Sequence, residues 1–175
     1  MTRALLSLGS NLGDRLAELR RAVSSLSDVL LVASGVYETP PWGDADQPAY
    51  LNAAVLVADP DADARAWLER ARALERAAGR VRDPGRPLGP RTLDVDVIMV
   101  WTAADEPVLS ADPELTLPHP RAHLRAFVLR PWIDIQPYGR LPGHGWLFDL
   151  LRADPVARDV AAVRARPDLE LESSR

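Results

Sequence analysis

The sequence predicts an α+β fold in the order β-α-β-β-α-β, followed by a mostly irregular, short-helical C-terminal part. Three observations predict it. Short runs rich in Val, Leu and Ala recur at four places in the first hundred residues. Two stretches with apolar residues at helical spacing lie among them. Past residue 101 prolines accumulate and the periodicity fades.

The elements follow in order. "RALLSLG" is a short apolar strand, and "SNLGDRLAELRRAVSSLSD" runs from a loop into an amphipathic helix with Leu16, Leu19, Val23 and Leu26 on one stripe. "VLLVASGVYET" is the second strand, ended by "TPPWGDADQP", whose three prolines and glycine forbid regular structure. "YLNAAVLVAD" is the third strand. "DADARAWLERARALERAAG" is the second helix, opening at an Asp cap. An arginine-rich Pro/Gly loop, "RVRDPGRPLGPR", precedes the fourth strand, "LDVDVIMVW". This order makes a ferredoxin-like βαββαβ sandwich. Short helices are expected over 121–129 and 146–163. Residues 1–163 read as a single domain and 164–175, "RARPDLELESSR", as a flexible tail.

Composition narrows the function. With 175 residues, 47% of them hydrophobic, the chain can bury one real core. A net charge of −4 argues against a general nucleic-acid binder. Cysteine is absent, which removes disulfides, zinc thiolates and thiol nucleophiles. All 21 basic residues are arginine, so Schiff-base chemistry and a Walker-type lysine are excluded. No apolar run has the length of a membrane span, and the N-terminus does not read as a signal peptide. A soluble, cytoplasmic protein is expected.

The fourth strand contains an oddity. Asp94 and Asp96 interrupt a run of Leu, Val, Ile and Met. Side chains two apart on a strand share a face, with Cβ atoms about 6–7 Å apart. Like charges that close repel unless a cation lies between them, and all-oxygen ligation suits magnesium. Taken singly, strand acids more often face solvent. This pair, however, follows a loop holding Arg80, Arg82, Arg86 and Arg91. Guanidinium forks bind phosphate bidentately, so acids and arginines together describe a magnesium–nucleotide site under a movable loop. Beyond the strand stand His119, held between two prolines, and Arg125. Tyr50 and Asn52 share a face of the third strand, where one could stack on a flat ring and the other hydrogen-bond to it. The residues themselves point to phosphoryl or nucleotidyl transfer and do not name the acceptor.

Four blocks in register, "SLGSNLGDR", "YETPPWGDADQPAYLNAAV", "ALERAAGRVRDPGRPLGPRTLDVDVIM" and "LPHPRAHLRAFVLRP", resemble the 6-hydroxymethyl-7,8-dihydropterin pyrophosphokinase family of folate biosynthesis, over about residues 3–150. The resemblance implies transfer of the terminal pyrophosphoryl unit of ATP to the pterin hydroxymethyl group, releasing AMP, with two magnesium ions. It implies Asp94 and Asp96 as metal ligands, and Arg82 and Arg91 on the transferring phosphates. Arg80 and Arg86 would belong to the closing loop, Glu75 and His119 would touch the nucleotide, and Arg125 would lie near the reacting ends. The pterin would lie between Tyr50 and Phe127, with Asn52 reading its edge and Gly9, Thr39, Pro40, Pro41 and Trp42 completing the pocket. The partners would be these two small molecules, with no nucleic acid or membrane, and the chain a monomer. Leu88, Trp42, Pro120 and Arg72 depart from the pattern, which bears on lid closure and nucleotide affinity.

Two other classes were weighed. A polymerase-β-type nucleotidyltransferase also pairs a Gly-Ser turn with Asp-x-Asp, but there the acids follow within roughly a dozen residues; here they stand far downstream. An RNA-binding ferredoxin-like module would need a basic sheet face with an aromatic RNP run, against which the acidic pair counts; a catalytically inactive relative serving as a nucleotide-binding scaffold stays open, although every residue required for catalysis is present.

Overall fold

The structure, a computed structural model, describes residues 1–172. Strand β1 (Thr2–Ser10) is followed by helix α1 (Arg15–Ser25), which opens where the Asp14 carboxylate accepts the Ala17 N–H at 3.0 Å. Next come β2 (Leu30–Ala33), β3 (Tyr37–Thr39) and β4 (Tyr50–Asp59). Helix α2 (Ala64–Ala77) opens on Asp63, the expected cap, which accepts the Ala66 N–H at 2.8 Å. Strand β5 (Asp94–Thr102) carries the two acids. The C-terminal part holds a hairpin of β6 (Ser110–Asp112) and β7 (Leu115–Leu117), a 3-10 turn at Ala122–Leu124, and α3 (Ala126–Ile135). It continues with the small hairpin β8 (Arg140–Leu141) and β9 (Gly145–Trp146), α4 (Leu147–Arg152), α5 (Val156–Val160) and β10 (Arg164–Ala165).

The main sheet is antiparallel, in the order β10-β3-β4-β1-β5, with β2 also on β4. Strand β1, between β4 and β5, is buried on both faces from Ala4 to Ser10, which is why apolar residues fill it without alternation. Ala4, Leu6 and Leu8 face the first core, against Leu19 and Val23 of α1 and Trp67, Ala71 and Leu74 of α2. On the opposite face Leu5, Ile98, Met99 and Trp101 pack against Leu129 and Trp132 of α3, Leu147 of α4 and Val156 of α5. The fold is thus α+β with helices on both sheet faces, because the C-terminal helices cover the second face. The acids lie on that face beside the start of α3, where Arg125 meets Asp96.

Three local readings are corrected. The single strand read over 29–39 is two, since the Ser34 hydroxyl replaces the backbone in the ladder and accepts the Ala54 N–H at 2.8 Å. The helix read over 121–129 begins as a 3-10 turn, is interrupted by extended backbone at Arg125, and then runs on to Ile135. The region read as a tail is docked as far as it is described: β10 pairs with β3, the Glu170 carbonyl accepts from Arg20 Nε at 2.7 Å, and Leu171 is buried. Residues 173–175 lie outside the described residues.

Candidate active site

The acids owe their direction to strand register. Asp94 stands opposite Gly9 and Asp96 opposite Ser7, so small residues leave room in front of both carboxylates. A bulge at Ile98 then shifts the register and turns Ile98 and Met99 toward the same core. Acids and apolar residues of β5 therefore share one face, the acids at its open end.

Each acid is met by arginine. Asp94 Oδ1 accepts from Arg80 Nη1 at 2.7 Å and Arg91 Nη1 at 3.1 Å. Asp96 Oδ2 accepts from Arg125 Nη1 at 3.0 Å, with His119 Nε2 at 3.8 Å. Burial, and after it the charge of Asp94, pushes the Asp96 carboxyl up to about 7. Burial and then Arg125 hold His119 down to about 4, so its imidazole is neutral at pH 7. Its Nδ1 accepts the Arg121 N–H at 3.1 Å. Glu75, on the last turns of α2, takes the Val95 N–H at 3.0 Å, Arg82 Nη2 at 3.0 Å and Arg80. Arg80 is buried between two carboxylates, whereas the Arg82 side chain is 71% exposed and reaches Glu75 from outside.

Two cavities meet at these acids. One is largely apolar, lined by Gly9, Thr39, Pro40, Trp42, Tyr50, Asn52 and Phe127, with Ser7, Leu88, Arg91, Arg125 and both aspartates at its inner end. Gly9 is required there: a Cβ would stand 2.9 Å from Asn52 Oδ1 and 3.4 Å from the Tyr50 ring. The Asn52 amide nitrogen is tied to Thr39 Oγ1 at 2.6 Å, leaving Oδ1 as an acceptor. The second cavity is polar, about 350 Å³, and holds Glu75, Arg80, Arg82, Arg91, His119 and Arg125, with Arg72 and Glu114 also in its lining.

Two predicted residues are placed elsewhere. Pro41 does not line the apolar cavity. Arg86 is turned from the acids onto Asp44, donating from Nη2 at 3.1 Å and also from Nε, because the loop of residues 80–91 lies against the loop between β3 and β4. Gln47 Nε2 reaches the Leu88 carbonyl at 2.7 Å, and Leu88 is seated on Gly43, where φ is +91° and a Cβ would meet it at 2.6 Å. Sequence reasoning passed over Ser7 and Asn11. Asn11 is buried, accepts the Arg91 N–H at 2.9 Å and donates to Gln47 Oε1 at 2.9 Å. A polar residue inside an apolar strand was the available signal for Ser7.

Two carboxylates on one rigid strand suit magnesium, which takes one or two protein carboxylates and completes its shell with substrate phosphate and water. Among the described residues no group of three or more His, Cys, Asp or Glu side chains converges as a metal cage.

Comparison with known proteins agrees with the geometry. Residues 5–137 match the family of 7,8-dihydro-6-hydroxymethylpterin-pyrophosphokinase (HPPK). A 2-amino-4-hydroxy-6-hydroxymethyldihydropteridine pyrophosphokinase of Mycobacterium tuberculosis is 48% identical over 182 residues, 99% of this chain and 95% of the relative. That of Mycobacterium leprae is 53% identical over 171 residues, 94% and 88% of the two chains. A solved HPPK-DHPS in complex with substrates is similar in fold, with a TM-score of 0.65 at 10% identity. Wild-type Plasmodium falciparum HPPK-DHPS gives 0.60 at 13%. The chain covers 46% of each of those solved chains, and is itself covered to 94% and 89%. The chain belongs to the 7,8-dihydro-6-hydroxymethylpterin-pyrophosphokinase family.

Proposed function

We infer that this chain carries out ATP-dependent pyrophosphoryl transfer to the hydroxymethyl group of 6-hydroxymethyl-7,8-dihydropterin in folate biosynthesis. The observation that carries the reading is the pair Asp94 and Asp96 at the seam between an apolar and an arginine-lined cavity. The pterin hydroxyl oxygen bonds to the β-phosphorus, the bond from that phosphorus to the α-phosphate bridging oxygen breaks, AMP leaves, and the hydroxyl proton passes to solvent.

The ring lies between Tyr50 and Phe127, beside Thr39, Pro40 and Trp42. Asn52 Oδ1 accepts from the amino and ring N–H donors of a 2-amino-4-oxo pterin edge, a role supported by the bond that commits its amide nitrogen to Thr39. Arg82 and Arg91 grip the transferring phosphates, and the exposure of Arg82 supports a part that closes on arrival of ATP. Arg80 and Arg125 hold phosphate from the cavity wall, Glu75 and His119 contact the nucleotide, and Arg86 acts on the loop. Asp94 and Asp96 hold two magnesium ions, which when bound share the triphosphate charge and lower the hydroxyl pKa. Rate enhancement rests mainly on positioning and electrostatics.

The sheet order, with β2 and β3 together at one edge, supports a ferredoxin-like description. The same reading has the chain act as a cytoplasmic monomer on its two small substrates, without nucleic acid or membrane. The acidic net charge counts against nucleic acid as a partner; among the described residues no helix is long and apolar enough to cross a membrane.

Product analysis tests the reaction. With magnesium, ATP and the pterin, AMP forms only when the pterin is present; ADP or free pyrophosphate as the nucleotide-derived product contradicts it.

A further inference from the structure

Arg125 is held in an unusual way. Its guanidinium carbon lies 5.1 Å from the centroid of the Trp42 ring and 5.5 Å from that of Phe127. The residue is only 9% exposed, Nη1 is on Asp96, and Nε is buried without a hydrogen-bond partner. A single contact to a carboxylate would leave the guanidinium free to turn about it. Two ring faces restrict that rotation, and desolvated cation–π contacts are worth about 0.5–2 kcal/mol each. Trp42 lines only the apolar cavity, whereas Arg125 lines both. The indole thus touches, in Arg125, a residue that reaches the phosphate side.

We propose that Trp42 is a positioning residue for the transfer step: its indole face fixes the Arg125 guanidinium at the seam of the two cavities, so that its free Nη edge meets substrate phosphate. The proposal rests on the pyrophosphokinase reading and assigns to Trp42 a task separate from walling the pterin. The ring comes from the loop between β3 and β4, which the Asp44–Arg86 pair ties to the loop of residues 80–91. Closure of the two loops thereby sets the orientation of an arginine that belongs to neither.

The test is a double-mutant cycle of Trp42→Leu with Arg125→Ala, with Trp42→Phe as the conservative control. Two quantities are read: the single-turnover rate, and calorimetric binding of inorganic tripolyphosphate to the metal-free protein. Trp42→Leu, assayed at saturating pterin, is expected to lower both by about two- to thirtyfold, the range that corresponds to the cation–π energies above. Trp42→Phe restores most of the loss. In the Arg125→Ala background Trp42→Leu adds nothing. A loss confined to pterin affinity, or an equal further loss without Arg125, overturns the proposal. The tripolyphosphate arm needs no turnover, so failure of the pyrophosphokinase reading leaves this coupling measurable.

Discussion

Individual residues of this site are governed by what stands opposite them. Gly9 faces Asn52 and Tyr50 at contact distance, so Gly9→Ala forces the Asn52 oxygen aside. Overpacking of this kind costs about 1–3 kcal/mol; the expected result is a pterin KM raised about tenfold, with the circular dichroism of the wild type retained. An unchanged KM would mean that Asn52 does not read the ring. Titration separates two neighbours. His119 is held down to about 4 in the fold from 6.5, so its contribution to stability is present above pH 6.5 and is lost as pH falls toward 4. Asp96 is raised from 3.8 to about 7, so its contribution is fully present below 3.8 and is lost as pH rises toward 7. Between pH 4 and 6.5 the two oppose each other. His119→Gln removes the acid-labile part, and the metal-free variant should gain stability over the wild type on going from pH 7.5 to 5 in denaturant titrations. Parallel pH profiles would contradict this. The aspartates were legible because charge in an apolar strand is conspicuous. Asn11 was not, because an Asn after Gly-Ser looks like ordinary turn chemistry until its burial is seen.

At the scale of elements, periodicity identified the strands and helices of the first hundred residues and missed where side chains substitute for backbone. Ser34 is the example: its hydroxyl accepts the Ala54 N–H where a continuous strand would use a carbonyl. Ser34→Ala strands that buried donor and is expected to destabilise the protein by about 1–3 kcal/mol, measured by urea unfolding, with kcat little altered because the break is remote from the acids. A loss below about 0.5 kcal/mol would indicate that water or a shifted carbonyl replaces the hydroxyl. The C-terminal hairpins and helices were poorly legible for another reason. Their elements are two to ten residues long, too short for a period to emerge, and they are ordered by the sheet face that they cover. The loop of residues 80–91 was read as an arginine cradle. Arg86 departs from that reading because Asp44, 42 positions away in sequence, claims it, a pairing that no local pattern contains.

The whole molecule joins a rigid sheet to two adjustable loops. Cores on both faces immobilise β1 and β5, and the small residues Ser7 and Gly9 on β1 keep the space before the aspartates open. Arginines balance the charges of Asp94 and Asp96; in the proposed reading a divalent ion and a triphosphate would do so together. That reading accounts for acids in an apolar strand, since metal ligands gain from a support that cannot yield. The most direct test is a manganese titration followed by electron paramagnetic resonance, with a non-hydrolysable ATP analogue present, on the wild type and on Asp96→Ala. The account predicts two ions bound per wild-type chain, at most one in the variant, and turnover abolished in a variant whose circular dichroism is unchanged. Two ions bound and wild-type turnover in a folded Asp96→Ala protein would contradict it.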